Sequence, residues 1–259
     1  MNRIDMLKHN DEKSLVLYIM AGDPNLKTTE ELLYLMSDEG VSLIEIGVPF
    51  SDPVADGTTI QAAGERALKN NITIASTLSM IKRVRNKVTI PMVIMTYYNL
   101  IYSYGPEKFV DDCLKNGIDG AIIPDLPFDE EMPFYNYAKN KGFYLIYLVS
   151  PANTVERAKK IVEKSLGFVY YILLKGVTGS RQKPAYDLKV MKIIRKITDK
   201  PILGGFGIST PDQAAEVSEF TDGVIIGSAF VELINKYSKN RVKLKAEAKR
   251  FIKQFKARL

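Results

Sequence analysis

Glu45 stands inside an apolar run, Leu43-Ile44-Glu45-Ile46-Gly47. Alternate side chains of a strand share a face, so Leu43, Glu45 and Gly47 point one way and Ile44 and Ile46 the other. The Ile face suits a covering layer of helices, which sends Glu45 to the inside. A carboxylate there is costly to ionise, its pKa rises toward neutrality, and it becomes able to carry a proton back and forth. A buried Glu tied up by a Tyr hydroxyl or a backbone N–H would satisfy the same pattern. Asp56 follows in Ser51-Asp52-Pro53-Val54-Ala55-Asp56-Gly57-Thr58-Thr59, a long loop of the kind where catalytic groups gather. An Asp before Gly-Thr-Thr can equally turn the chain or cap the next helix.

Two glycine-rich stretches, Gly204-Gly205-Phe206-Gly207 and Gly227-Ser228-Ala229, have the makings of a phosphate cradle. Bare backbone lets N–H groups approach an anion, and a helix beginning at Ser228 would add the positive end of its dipole. Lys175 offers another chemistry, since a desolvated Lys can form a Schiff base with a carbonyl substrate. It could also simply be a solvated Lys at the start of the loop Gly176-Val177-Thr178-Gly179-Ser180.

Composition narrows the field. The chain has 259 residues, 46% of them hydrophobic and 25% charged, which is ordinary for a globular protein. Its one cysteine, Cys113, excludes a disulfide framework and any site needing two thiolates, and its one histidine, His9, excludes paired-His metal motifs. Acid–base work therefore falls to Asp, Glu, Lys or Tyr. No segment reads as a signal peptide or a membrane span, and the cytoplasm is the expected location. The net charge of +6 comes from residues 239–259, which hold nine Lys or Arg and one acid. In that tail Leu244, Ala248, Phe251, Ile252, Phe255 and Leu259 recur at helical spacing. A basic amphipathic helix could bind nucleic acid or membrane, but the commoner outcome is a last helix that docks its apolar stripe and exposes its lysines. Neither a nucleic-acid nor a membrane partner is expected.

The elements that must position these groups are short β-rich runs at 15–20, 43–48, 92–97, 121–123, 144–149, 168–173, 202–203 and 223–226. Amphipathic segments at 30–39, 59–69, 77–85, 106–116, 130–141, 154–164, 185–197 and 211–218 lie between them. Thr28 with Glu31, and Thr210 with Gln213, read as capping boxes, and Gly40, Gly117 and Gly142 as left-handed helix ends. Strand–helix alternation implies a parallel sheet covered on both faces. Eight units in one chain fit a closed (β/α)₈ TIM barrel, an α/β fold of one domain over 1–259, with an N-terminal helix before the first strand and the basic helix at the end. Its working site lies at the C-terminal ends of the strands, where Glu45, Asp56 and both glycine loops fall. Three short stretches, at 40–47, 117–124 and 221–228, echo one another as turn, buried strand and loop.

The run Ile44-Glu45-Ile46-Gly47-Val48-Pro49-Phe50-Ser51-Asp52-Pro53-Val54-Ala55-Asp56-Gly57-Thr58-Thr59-Ile60-Gln61 closely resembles the signature of the tryptophan synthase alpha chain family. Ala21-Gly22-Asp23-Pro24, Pro124-Asp125-Leu126-Pro127, Gly176-Val177-Thr178-Gly179, Gly205-Phe206-Gly207-Ile208 and Gly227-Ser228-Ala229 follow in the same order and spacing. The resemblance implies a lyase that cleaves indole-3-glycerol phosphate to indole and glyceraldehyde 3-phosphate. It implies that Glu45 is the proton shuttle and that Asp56 holds the indole N–H. Tyr18 and Phe206 match contacts to the substrate, Tyr170 a tyrosine near Glu45, and Thr178, Gly179, Gly207, Gly227 and Ser228 the closing loop and phosphate cradle. No metal or cofactor is implied in this chain. The expected partner is a beta subunit carrying pyridoxal phosphate, in an α2β2 assembly, with the loops at 49–59 and 175–183 closing over substrate and facing it. Leu173 and Leu174 replace the family's usual Ser-Arg, and Tyr18 replaces a commoner Phe. Two other readings stay open: a Schiff-base aldolase using Lys175, and a barrel kept as a non-catalytic binding subunit.

Overall fold

The computed structural model of the chain describes residues 2–8, 12–173 and 188–259. A 3₁₀ helix, Arg3–Lys8, precedes strand β1, Ser14–Met20. The remaining strands are β2 Leu43–Gly47, β3 Met92–Met95, β4 Gly120–Ile122, β5 Tyr144–Ile146, β6 Leu148–Val149, β7 Val169–Ile172, β8 Ile202–Gly205 and β9 Gly223–Ile226. All pairings are parallel, in the order β5-β4-β3-β2-β1-β9-β8-β7-β6. The two ends of that order, β5 and β6, are separated only by Tyr147, so the sheet curls into a barrel. The sequence run 144–149 reads as one strand. It is interrupted because the Tyr147 N–H donates to Ser165 Oγ (3.0 Å) instead of to a neighbouring strand.

Period-two alternation sorts the strand side chains into two cores. Val16, Leu43, Val93, Ile122, Ile146, Phe168, Leu203 and Ile225 fill the barrel. Leu17, Ile44, Ile46, Ile94, Val169 and Ile226 face the helices. The faces expected for β2 are the ones observed, and Glu45 lies inside, 1% exposed.

The helices are α1 Leu26–Asp38, α2 Thr58–Lys69, α3 Ile74–Val84, α4 Tyr98–Tyr104, α5 Pro106–Asn116, α6 Met132–Asn140, α7 Val155–Lys164, α8 Lys189–Ile194, α9 Pro211–Ser218, α10 Ser228–Tyr237 and α11 Arg241–Lys256. Thr210 and Gln213 form the expected capping box of α9. Helix α1 starts earlier than its periodicity suggests: Asn25, not Thr28, is its cap, and Asn25 Oδ1 accepts from the Thr28 N–H at 2.9 Å. Gly40, Gly117 and Gly142 all have positive φ, as their places after α1, α5 and α6 require. Residues 98–104, which carry no capping signal of their own, are helix rather than loop. Of the segment 185–197, residues 188–197 fall among the described residues, and α8 occupies Lys189–Ile194.

The three echoing stretches share a bond at the barrel floor. Ser42 Oγ accepts from the Leu15 N–H (3.0 Å), Asp119 Oδ2 from the Met92 N–H (2.9 Å) and Asp222 Oδ2 from the Ile202 N–H (2.7 Å). Each ties the first turn of one strand to its neighbour, satisfying an amide the ladder leaves free. The basic tail docks as expected. Leu244, Ala248, Ile252 and Phe255 are buried, while Arg241 and Lys245 meet Glu31 of α1 and Lys249 meets Glu39 just after it. Among the described residues no helix is long and apolar enough to cross a membrane.

Candidate active site

Strand β2 delivers Glu45 near the C-terminal rim of the barrel, directly opposite Tyr18 of β1 in the ladder. Tyr170 of β7 comes from the far wall. Both tyrosines fit because their neighbours are glycine: a Cβ on Gly47 would collide with the Tyr18 hydroxyl, and one on Gly205 would lie 2.6 Å from the Tyr170 hydroxyl. Above this floor opens a cavity of about 320 Å³. Its wall includes Tyr18, Glu45, Asp56, Thr58, Thr59, Ile60, Met95, Tyr170, Phe206, Gly207, Ile208, Gly227 and Ser228.

Glu45 Oε2 is buried with no hydrogen-bond partner among the described residues. The alternative of a carboxylate tied up by a hydroxyl or an amide therefore fails at that oxygen, and Tyr170 shares the cavity without bonding to it. Burial, with Asp56 adding like-charge repulsion, pushes the Glu45 carboxyl from 4.5 up to about 8. Glu45 is thus a neutral acid at pH 7 that a small change of surroundings can ionise.

Asp56 arrives on the loop between β2 and α2. Partial burial raises its pKa, and a hydrogen bond from Tyr97 opposes the rise. Tyr97 also accepts the Ala55 N–H on its hydroxyl at 3.1 Å and packs its ring on Phe50, 5.2 Å between centroids. Burial raises both carboxyls, but only Asp56 has a hydrogen bond that opposes the rise, so the two acids of one cavity are held differently.

The glycine loops close the other side. Phe206, at the end of β8, has φ of +78°, a conformation rare for a bulky residue and concentrated at functional sites. That conformation sets its ring edge-on to Tyr170, 6.1 Å away, over the cavity. Gly207 follows at φ +77°, and no atom lies within 4 Å of where its Cβ would be. Helix α10 begins at Ser228, on the cavity wall. The first amides of any helix lack intrahelical acceptors, so this end can receive an anion.

Glu45, Asp56, Tyr18, Tyr170, Phe206, Gly207, Gly227 and Ser228, singled out from the sequence, thus surround one cavity. Thr178 and Gly179, with Leu174 and Lys175 and the loop 175–183, lie outside the described residues. Sequence reasoning missed Tyr97, Ile60, Met95 and Ile208. Met95 sits at the C-terminal end of a barrel strand and Tyr97 just beyond it, a placement that could have flagged both. Among the described residues no group of three His, Cys, Asp or Glu side chains could hold a metal ion.

Comparison with known proteins points to one family. The family model described as tryptophan synthase alpha chain matches residues 4–259. The tryptophan synthase alpha chain of Petrotoga mobilis is 43% identical over 247 residues, covering 95% of this chain and 96% of that protein. The crystal structure of the tryptophan synthase alpha subunit from Legionella pneumophila superposes with a TM-score of 0.89 at 35% identity, covering 100% of this chain and 98% of that one. A chain from the tryptophan synthase α2β2 complex of Pyrococcus furiosus, a structure concerned with mutual activation, gives 0.84 at 32% identity, covering 94% and 98%.

Proposed function

The chain belongs to the tryptophan synthase alpha chain family and catalyses cleavage of indole-3-glycerol phosphate to indole and glyceraldehyde 3-phosphate, and we propose that Glu45 and Asp56 carry that reaction. The observation behind this assignment is the buried Glu45 carboxyl, one oxygen of which has no partner among the described residues, facing the same cavity as Asp56. Indole is a poor carbanion leaving group, so its C3 must be protonated before the carbon–carbon bond breaks. Glu45 holds a proton at neutral pH and gives it to C3. The ring then carries positive charge at nitrogen, and Asp56, whose upward shift Tyr97 opposes, accepts the indole N–H as the anion and stabilises that charge. Ionised Glu45 next takes the proton of the glycerol hydroxyl. The C–O bond becomes a carbonyl, the C–C electrons return to the indole ring, and Glu45 is neutral again. Gly207, Gly227, Ser228 and the start of α10 hold the phosphate, with Thr178 and Gly179 assigned to the same end.

This is the chemistry of a carbon–carbon lyase, and the steps above use only side chains of this chain. Pyridoxal phosphate is assigned to a beta subunit, with which the chain forms an α2β2 assembly in the cytoplasm. The Pyrococcus furiosus complex supports that partner. So does Val54, 80% exposed on the loop that bears Asp56. The test is direct: purified chain and indole-3-glycerol phosphate release indole, and neither Glu45→Gln nor Asp56→Asn does so at more than a small fraction of that rate. Near-normal release by both variants rejects the assignment.

A further inference from the structure

We infer that Tyr97 is a positioning residue for Asp56, and that Asp125 fixes Tyr97 in turn. The inference rests on Asp56 being the anion of the proposed reaction. Tyr97 is 4% exposed and is not part of the cavity wall, so any effect on the reaction passes through what it holds. It holds one loop at two points. Its ring packs on Phe50 and its hydroxyl accepts the Ala55 N–H. The hydroxyl proton remains free to bond the Asp56 carboxylate, the next residue along.

The position of Tyr97 in the chain makes this arrangement unusual. It is the N-cap of α4, a place that favours Ser, Thr, Asp or Asn because the cap side chain accepts an orphan amide. The Tyr97 side chain makes no such bond, being committed to the neighbouring loop. Asp125, from the loop after β4, does the work instead: its Oδ1 accepts the Tyr98 N–H at 2.9 Å. Three successive barrel loops are linked through Ala55, the Tyr97–Tyr98 corner and Asp125. A local rule broken with a compensating bond supplied from elsewhere marks a side chain retained for another duty.

The experiment compares Tyr97→Phe, Asp125→Ala, Asp125→Asn and Asp56→Asn in the full chain, alone and with a beta chain, with kcat, KM and the pH profile of kcat as readouts. Tyr97→Phe keeps the ring and its Phe50 contact and removes one oxygen. The expected loss in kcat is about tenfold, the scale of one hydrogen bond to a charged group, with little change in KM. The acid limb of the profile moves to higher pH, because the group lowering the Asp56 pKa is gone while Glu45 and Tyr18 still face it. Asp125→Ala gives a smaller loss in the same direction, and Asp125→Asn, which retains an acceptor, restores it. Adding Tyr97→Phe to Asp56→Asn costs nothing further. An active Asp56→Asn rejects the underlying assignment. An inactive Asp56→Asn beside a Tyr97→Phe with normal kcat and an unmoved acid limb overturns the inference alone. A normal Asp125→Ala overturns its second half.

Discussion

Two buried carboxylates at opposite ends of the barrel have opposite surroundings. Asp119, 4% exposed just before β4 at the barrel floor, is saturated: Arg3 lies 2.6 Å from one oxygen, Arg85 3.7 Å from the other, and the Met92 amide donates to it as well. Glu45, 1% exposed near the rim, has an oxygen with no partner among the described residues. Both acids lie next to or within strands of the same sheet and are equally hidden, so burial does not distinguish a structural acid from a reactive one. What differs is whether the fold has spent hydrogen bonds on the charged form. At the floor it has, and the acid holds strands together. At the rim it has not, and the acid stays free to exchange its proton.

The contrast fails if the two acids can be exchanged in role. Glu45→Gln keeps the shape and removes the proton shuttle, and indole release is expected to fall by about 10³-fold or more. Asp119→Ala is expected to leave kcat unchanged wherever the chain is folded and to cost about 4 kcal/mol of stability in denaturant titrations. Burial already pushes the Arg85 guanidinium down to about 10, with Asp119 pushing it back up. Removing Asp119 leaves that cation without its counter-charge and the Met92 amide without an acceptor. A large kcat effect at Asp119 with intact stability would erase the distinction.

The sharper test concerns stability against pH. The Glu45 pKa is higher in the fold than in the unfolded chain, so the native state retains a proton that the unfolded state releases. Below about pH 4.5 both states are protonated and Glu45 is neutral in effect. As pH rises toward 8 it destabilises the fold by about 1.4 kcal/mol per unit, and above 8 the cost is complete. Glu45→Gln removes the titration but buries amide donors, so it is expected to stabilise by about 2 kcal/mol at pH 7. The gain should disappear near pH 4. Thermal melts of both proteins across pH 4 to 8 read the difference. A curve for Glu45→Gln running parallel to the original would mean the carboxyl ionises normally. A substitution that stabilises while it inactivates is the signature of an acid kept for chemistry.

How much of this was legible in the sequence follows from the range of each interaction. The face of Glu45 was legible because period-two alternation is set by the backbone alone. The register of the glycine loops was legible because strand ends and turns are local. The interruption at Tyr147 was not, since its cause is a hydroxyl on Ser165 that no nearby residue announces. Helix α4 was hidden for a related reason: its first amide is capped by Asp125, from the neighbouring loop of the barrel. Tyr97 escaped notice because its part depends on which loops stand side by side, and parallel pairing of β2 with β3 decides that. The echo between 40–47, 117–124 and 221–228 was visible as a pattern, but its meaning, a side-chain acceptor for the neighbouring strand, required the register.

The smallest effect separates burial from pairing as the source of stability at the floor. Helix α11 and the residues after it also carry charge pairs, but on the solvent side: Lys245 with Glu31 at 3.2 Å, Lys249 with Glu39 at 2.5 Å, and Arg258 with Asp212 at 2.8 Å. Their cationic ends are about half exposed, as is Arg3 on one oxygen of Asp119, whereas Arg85 by the other oxygen is 11% exposed. Water already stabilises such ions when apart, so each pair is worth no more than about 1 kcal/mol. Glu31→Gln removes the pairs with Lys245 and Arg241 together and is therefore expected to lower stability by about 1 to 2 kcal/mol at low salt, and the loss should shrink at high salt as screening replaces the partners. The loss in Asp119→Ala should respond less to salt, because Arg85 and the Met92 amide are out of reach of ions and only the Arg3 pair can be screened. If Glu31→Gln instead cost as much as Asp119→Ala and resisted salt equally, pairing itself would carry the stability. Asp119 would then owe its role to its arginines, and the unpartnered oxygen of Glu45 would no longer be explained by what the fold withholds from it.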